Sequence, residues 1–298
     1  MTAEEVQKRD ECTDATRLRQ LGRNVVLLAE AGRVLVCFAA WSIPVIVLKG
    51  AAFIDSLYRF DERLLRDIDL LVPPRAFGKA EAALRACGFR WARCRVRPLA
   101  ARCAHERLYT SPRGGRIDLH RALDEPRRWN IVTEALFERS VAGTVSGAPA
   151  RLLCPEDTLI HLAVHWAKDA CVRGSKSLRD AEHLLAKQPI DWSALSARAE
   201  QFAVKGAVWT LCRSAGLRRQ VPAFVLRALR PSAAQRLVAG HLTGRTSVSR
   251  RHRALLRFAL LDGLVHPLHD ACATAALLVL DACARRVTPR AGTHPPGG

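Results

Sequence analysis

The sequence predicts an α+β protein, with a small unit of strands and helices near residues 41–140 and an all-helical second half. Short apolar runs rich in β-branched residues, such as IPVIVL at 43–48, alternate with turn residues in the first half, as in buried strands. Beyond about residue 140 the apolar residues recur with helical spacing instead. We therefore expect four segments: an N-terminal helical segment at 1–40, an α+β core at 41–142, a helical domain at 150–288 and a disordered tail at 289–298.

The first half contains the predicted strands. Residues 15–40 are predicted to form a helix because apolar residues, among them Leu18, Val25 and Val36, keep returning to one side. The strand at 43–48 stops at Lys49-Gly50, and Pro73-Pro74 ends a later strand because proline cannot continue it. The remaining predicted elements are a short helix at 51–60, a helix at 76–88 and strands at 66–72, 89–96, 105–111 and 116–120.

The second half begins with a link. Residues 143–150 are rich in Gly, Ser, Ala and Pro, so we expect them to join the core to the helical domain. Pro155, Glu156 and Asp157 suit the first turn of a helix. Helices are predicted at 155–170, 177–187, 192–216, 222–230, 232–241, 249–262 and 268–286.

Charge and cysteine content limit the partners and the compartment. The formal net charge is +19, and residues 201–298 contribute +12 of it, because they hold 15 Lys and Arg but only three Asp. Nucleic acid is therefore an open partner, although a solvated arginine-rich surface is favoured. The 10 cysteines form no CxxC pair, as expected of a reduced protein. The N-terminus is polar and charged, and the most apolar C-terminal stretch, 271–283, is too short to span a bilayer. We expect a cytoplasmic protein without a membrane partner.

The stretch LLRDIDLLV, residues 64–72, has two carboxylates inside a strand pattern. Successive strand side chains point to opposite faces, so Asp67 and Asp69 are predicted to share one face. Asp118 sits in a similar setting in RIDLH, and a neighbouring position for that strand would bring three carboxylates together. Carboxylate oxygens suit Mg²⁺, with Mn²⁺ as the alternative ion. The competing interpretation pairs the two aspartates with Arg63 or Arg66.

Lys49-Gly50 forms a junction between a strand and a helix. Such a junction presents backbone N–H groups, and glycine lets a phosphate approach the backbone closely. Lys49 would add a positive charge, or it is a solvated lysine at the end of a strand. The junction precedes the D-x-D strand by roughly 17 residues, and this order is more specific than either motif alone.

In that order, LKGAAFIDSLYRFDERLLRDIDLLV followed by GGRIDLH closely resembles the uncharacterised nucleotidyltransferase family of the polymerase-β-like nucleotidyltransferase superfamily. The resemblance continues in PEDTLIHLAVHWAKD and LRDAEHLL and covers roughly residues 20–190. It implies a small mixed β-sheet flanked by helices. It also implies an enzyme of the EC 2.7.7 type that moves a nucleoside monophosphate from an NTP to an acceptor and releases pyrophosphate.

The resemblance also implies roles for individual residues. Asp67 and Asp69 would bind the metal ions that carry the NTP, and Asp118 would complete the site and help to activate the acceptor. Gly50 and its neighbours, Ala51 included, would hold the phosphates. Many superfamily members have a serine where this chain has Ala51. Further phosphate contacts are expected from Lys49, Arg63 and Arg66.

Three more residues are candidates on the substrate side. His120 follows Asp118 by two positions, so it either orients a carboxylate, touches substrate or lies on the surface. His161 and His165 are most simply helix-packing histidines, but His165 together with Asp180 could close over the nucleotide.

Three other functions remain open at this stage. One is a D-x-D glycosyltransferase, which a larger doubly wound sheet would favour. The second is a catalytically weak or inactive binding or regulatory protein with the same fold. The third is a nucleic-acid-binding protein that uses the basic C-terminal half, for which steep salt dependence of oligonucleotide binding would be evidence. The acceptor is not identified by the sequence and could be a small molecule, a peptide, a protein or an RNA end.

Overall fold

A computed structural model describes residues 3–54, 56–92, 104–126, 128–169, 171 and 175–242. The helices are α1 (Ala3–Ala40), α2 (Lys49–Phe53), α3 (Phe77–Ala86), α4 (Thr133–Arg139), α5 (Pro155–Lys168), α6 (Lys176–Lys187), α7 (Trp192–Gln201), α8 (Lys205–Cys212), α9 (Ala223–Ala228) and α10 (Ala233–Leu242), with a 3₁₀ turn at Pro74–Ala76. The strands are β1 (Ile46–Leu48), β2 (Ile68–Leu71), β3 (Arg90–Trp91), β4 (Glu106–Thr110), β5 (Arg116–His120), β6 (Val141–Val145) and β7 (Ala148–Leu152).

The seven strands form one mixed sheet in the order β3-β4-β5-β2-β1-β7-β6. The pairs β2–β5 and β1–β7 are parallel, and the other neighbours are antiparallel. The strands at the centre, β1 and β2, are short and buried on both faces, and Asp69 is the one charged residue in their otherwise apolar sequences. This confirms the predicted α+β class with a mixed sheet between helices.

Helix α1 packs against the sheet and against α3. Leu27, Ala31, Val34 and Phe38 follow one another at helical spacing, and each is almost fully buried. Leu18, Val25 and Val36 are 67%, 56% and 63% exposed, so their predicted place on the buried side is wrong. Leu28 and Val34, which belong to the same predicted apolar side, are 7% and 0% exposed, so the prediction is correct for that part of the side.

Asn24 of α1 fastens the loop that leads into β2. Its Nδ2 donates to the carbonyl oxygens of Phe60 (3.1 Å) and Arg63 (2.9 Å), and its Oδ1 accepts from the Leu65 N–H (2.9 Å). Asn24 is 2% exposed, so these backbone groups are satisfied away from water. These hydrogen bonds fix the loop immediately before the D-x-D strand against helix α1.

The predicted link at 143–150 is wrong. These residues lie mainly in β6 and β7, an antiparallel hairpin whose second strand pairs with β1. Ser146 and Gly147 have φ values of 53° and 74°, which is the two-residue turn that matches strand twist. The sheet therefore runs ten residues beyond the predicted core boundary at 142.

From Pro155 to Leu242 the elements of the described chain are all helices, as predicted for this part. The helix predicted at 192–216 is broken into α7 and α8, because Ala203 lies between them with φ 55°. The helices predicted at 249–262 and 268–286, and the tail at 289–298, lie outside the described residues. Among the helices that are described, none combines the length and the hydropathy needed to cross a lipid bilayer.

Candidate functional site

The carboxylates come together where two parallel strands lie side by side. Asp69 of β2 and Asp118 of β5 are directly paired in register, so both side chains project from the same face. Asp67 precedes β2 by one residue, although the pattern placed it inside the strand. All three aspartates line one cleft of about 630 Å³. The expected adjacency of the D-x-D and RIDLH strands is thus confirmed.

Asp69 is the most buried of the three, with 7% exposure. Its Oδ1 accepts hydrogen bonds from Lys49 Nζ and His120 Nε2, each at 3.0 Å. Burial alone would raise the pKa of Asp69, but the charge of Lys49 and the bond from His120 outweigh it and hold the pKa well below its ordinary value. Asp69 is consequently a stable carboxylate at every physiological pH.

Lys49 reaches Asp69 through an unusual backbone conformation. Its φ of 47° turns the chain from β1 into α2 at a residue that is not glycine. Burial lowers the pKa of Lys49, yet Asp69 and the other carboxylates nearby raise it above the ordinary value of 10.5. The interpretation of Lys49 as a solvated residue is therefore wrong, and its ammonium is the counter-charge that makes Asp69 tolerable in the core.

Among the residues that the structure describes, none forms a hydrogen bond or ion pair of this kind with Asp67 or Asp118. Burial, followed by the charge of Asp69, raises the pKa of Asp67 above its ordinary value. Burial and the charges of Asp69, Asp67 and Glu106 raise the pKa of Asp118 to about 7. The three aspartates thus carry more negative charge than Lys49 alone neutralises, and each of them offers carboxylate oxygens to the cleft. A hard divalent cation fits this set of donors.

Gly50 lies in the cleft wall beside Lys49. A Cβ added there would stand 2.8 Å from Leu65 Cδ2, so a larger residue at this position would require the Leu65 side chain to move. The side chain of Ala51 is buried and lines a different cavity, which faces α1. Whatever phosphate contact Ala51 offers would have to come from its backbone.

Arg63 and Asp180 pair with each other. Arg63 Nη2 donates to Asp180 Oδ2 at 2.7 Å, and the Tyr58 hydroxyl donates to Asp180 Oδ1 at 2.8 Å. Asp180 is 2% exposed and sits in α6, whereas Tyr58 and Arg63 belong to the loop before β2. The contact joins the helical half to the core at the cleft wall, and it rules out Arg63 as the salt-bridge partner of Asp67 and Asp69.

His120 and His165 have different surroundings. His120 is 1% exposed and orients Asp69, so its interpretation as a surface residue is wrong. His165 lines the cleft and its Nδ1 lies 2.9 Å from Ser177 Oγ. Burial and nearby Lys49 lower the pKa of His165 to about 4, so its imidazole is neutral. Arg66 is exposed at the cleft edge.

These strands, with the three aspartates in one cleft, match a known family. The family model described as uncharacterised nucleotidyltransferase matches residues 13–235, about three quarters of the sequence. The chain belongs to this nucleotidyltransferase family. No curated protein matches the chain.

This nucleotidyltransferase also has a distant likeness to several solved structures. A solution structure of the antibiotic-resistance factor ANT(2'')-Ia is 15% identical, covers 63% of this chain and 90% of its own, and has a TM-score of 0.40. The lincosamide antibiotic adenylyltransferase LnuA, bound to lincomycin, is 14% identical with 54% and 97% coverage and a TM-score of 0.36. A nucleotidyltransferase-like antigenic protein from Paracoccidioides brasiliensis is 14% identical with 71% and 93% coverage and a TM-score of 0.35.

The sequence did not point to several cleft residues. Glu106 of β4 reaches the cleft, as do Lys168 and Lys176 of the helical half. Burial, together with Arg63 and Arg66, lowers the pKa of Lys176 to about 8. The Ser175 side chain caps α6 by accepting a hydrogen bond from the Leu178 N–H. Such a cap is a local sequence signal for a helix that begins at Lys176. Nothing in the periodicity indicates that the helix start faces the carboxylates.

Proposed function

We propose that this protein is a metal-dependent nucleotidyltransferase that transfers a nucleoside monophosphate from an NTP to a hydroxyl acceptor and releases pyrophosphate. The observation that carries the proposal is the register pairing of Asp69 with Asp118 at the floor of the cleft, with Asp67 beside them. A cleft of about 630 Å³ has the size expected of a nucleotide site. Family membership supports the same class of reaction.

The three aspartates would hold the divalent cation, Mg²⁺ or Mn²⁺, through their carboxylate oxygens. When bound, the cation supplies charge stabilisation for the attacking and leaving oxygens. Asp69 is already oriented by His120 and Lys49. Asp67 and Asp118 have raised pKa values in the absence of a cation, because burial and neighbouring carboxylates disfavour their charged forms. A cation bound between the carboxylates would relieve this repulsion.

The basic side chains that line the cleft would bind the triphosphate. Lys49 and Gly50 lie at one side of the cleft, and Arg66, Lys168 and Lys176 lie on its walls. The acceptor oxygen forms a bond to the α-phosphorus, the bond between the α-phosphorus and the bridging oxygen to the β-phosphate breaks, and pyrophosphate leaves. Asp118 takes the proton of the acceptor hydroxyl, and its place in register beside Asp69 at the bottom of the cleft supports this task.

A second candidate function is nucleotide binding without turnover. The specific observation is the ion pair of Lys49 with Asp69, whose Nζ–Oδ1 distance is 3.0 Å and which neutralises one of the three carboxylates. In such a protein the NTP would bind and stay intact. The glycosyltransferase alternative has less support, because the described strands form one mixed sheet of short strands rather than a doubly wound one.

The test is transfer of the label from each of the four α-labelled NTPs to an acceptor, with Mg²⁺, Mn²⁺ or EDTA, in the presence of a whole-cell extract that contains metabolites, proteins and RNA. We expect label transfer by the wild type in one metal, and a loss of at least about a hundredfold in Asp118→Asn, since the lost charge stabilisation is worth several kcal/mol. Glu200→Gln is the matched control, because Glu200 is an exposed carboxylate on α7. Full turnover by Asp118→Asn contradicts the proposal, whereas tight NTP binding without any label transfer favours the second function.

The acceptor is proposed to be a small molecule, and a cytoplasmic location is proposed with it. Size fractionation of the extract in the same assay tests the first point. Label recovered in the low-mass fraction supports it, and label on protein or RNA refutes it.

A further inference from the structure

Two histidines and a glutamate lie together next to Asp69, outside the three-aspartate floor. His105, Glu106 and His120 each offer one ligand atom, and these atoms lie within 4.8 Å of one another. Glu106 Oε2 lies between the two rings, 3.3 Å from His105 Nε2 and 3.5 Å from His120 Nδ1. Ligand atoms about 2.0–2.1 Å from a tetrahedral zinc ion are themselves about 3.3 Å apart, and the two distances from Glu106 Oε2 match this spacing.

The second nitrogen of each ring is held by a carboxylate. His120 Nε2 lies 3.0 Å from Asp69 Oδ1, and His105 Nδ1 lies 3.2 Å from Glu125 Oε1. Histidines that ligate metals typically donate their other N–H to a carboxylate, which fixes the tautomer and leaves the lone pair on the ligating nitrogen. Both rings therefore turn their remaining nitrogen toward Glu106.

The nitrogen of His120 that faces Glu106 is Nδ1, and it makes no hydrogen bond to any described residue. His120 is 1% exposed, and its Nδ1 is buried without a hydrogen-bond partner among the described residues. A buried polar atom without a partner is costly, and buried native groups normally have one. His105 is 5% exposed, whereas Glu106 reaches partly into the cleft and provides access for an ion.

We propose that His105, Glu106 and His120 bind a zinc-type divalent transition-metal ion, distinct from the cation of the three-aspartate floor. Two imidazoles and one carboxylate select an ion of this type, whereas Mg²⁺ prefers oxygen ligands alone. The ion would bind through His120 Nδ1, and the opposite nitrogen of the same ring would hold Asp69. The site thereby fixes the orientation of the central carboxylate of the cleft. The inference does not depend on the proposed transfer activity.

The full-length protein is stripped with EDTA, transferred to metal-free buffer and titrated with Zn²⁺ in the presence of excess Mg²⁺; the metal retained after gel filtration is then measured by mass spectrometry. We expect one tightly held zinc per chain that Mg²⁺ does not displace. His105→Gln and His120→Gln should each weaken zinc retention by at least about tenfold. Asp118→Asn, which changes only the aspartate floor, should retain it.

The control is His183→Gln, because His183 stacks on Tyr58 with a ring-centroid distance of 4.2 Å and lies outside the cluster. Absence of tight zinc, equal retention by His105→Gln, or loss of zinc in Asp118→Asn overturns the proposal, the last by placing the ion on the aspartates. If a histidine variant does not fold, Co²⁺ in the wild type and in Glu106→Gln decides. Intense visible bands that Glu106→Gln alters support the site, and weak octahedral-type bands refute it.

Discussion

Replacing Asp69 and Asp118 by asparagine should change the stability of the metal-free protein in opposite directions, although the two side chains are register partners. Asp118→Asn removes a charge that burial and neighbouring carboxylates disfavour. The pKa of Asp118 rises from the ordinary 3.8 to about 7, which is a change of roughly three powers of ten in proton affinity. Since each power of ten corresponds to about 1.4 kcal/mol, the upper limit of the stability gained by removing this charge is about 4 kcal/mol. Asp118 keeps some contact with water, and asparagine also has a desolvation cost, so we expect a gain of about 2 kcal/mol.

Asp69→Asn removes the only carboxylate that Lys49 bonds directly in the described structure. The Lys49 and Asp69 side chains are 18% and 9% exposed, so the ammonium would be left charged in a mostly buried place. Breaking a buried pair costs about 3–5 kcal/mol, and the partial exposure of Lys49 places the expected loss near about 3 kcal/mol.

Urea denaturation in EDTA at pH 4.5 and pH 8 measures both effects. A raised carboxyl pKa means a penalty that grows as the pH rises from about 4 to about 7, so the gain of Asp118→Asn should be small at pH 4.5 and full at pH 8. The pKa of Asp69 is depressed, so its contribution persists at pH 4.5 and fades only below about 4. The reasoning is refuted if Asp118→Asn is less stable than the wild type at pH 8, or if both variants shift in the same direction.

Three further predictions concern the cleft walls. Lys176 has a pKa of about 8, so its charge is lost as the pH rises through 8, and the KM for the NTP should increase from pH 7 to pH 9 in the wild type but stay flat in Lys176→Arg. Gly50→Ala places a methyl group against Leu65, and calorimetry should show a loss of about 1–3 kcal/mol that a shorter side chain at position 65 partly offsets; an unchanged melting temperature would contradict the contact. Asp180→Asn leaves the guanidinium of Arg63 without its carboxylate and should cost about 3–5 kcal/mol in urea denaturation, whereas the exposed Glu200→Gln should cost almost nothing.

Local patterns predicted the strands of the site well. RIDLH was predicted at 116–120 and forms β5 with the same bounds. A run such as this one is bounded on one side by a Gly-Gly turn, so its limits are set locally. Asp67 shows the limit of this reasoning. The sequence pattern places it inside the strand, but β2 begins to pair with β5 only at the next residue, Ile68.

Long-range pairing explains most of what the sequence did not predict. The hairpin of β6 and β7 is rich in Gly, Ser, Ala and Pro, a composition typical of a link, and it becomes a strand pair because β7 lies beside β1. Likewise, no periodicity reveals that Lys49 meets Asp69 or that Glu106 lies opposite His120. These contacts depend on which strands become neighbours, a property of the whole sheet.

The contact of Asp180 with Tyr58 and Arg63 has a consequence for how the chain can be divided. A protein shortened to its first 142 residues would keep Asp67, Asp69 and Asp118. It would lose the strand beside β1 and the helical wall of the cleft. Both halves therefore contribute residues to the cleft. A cut between them would leave the three aspartates without the helical residues that line the other side of the cleft.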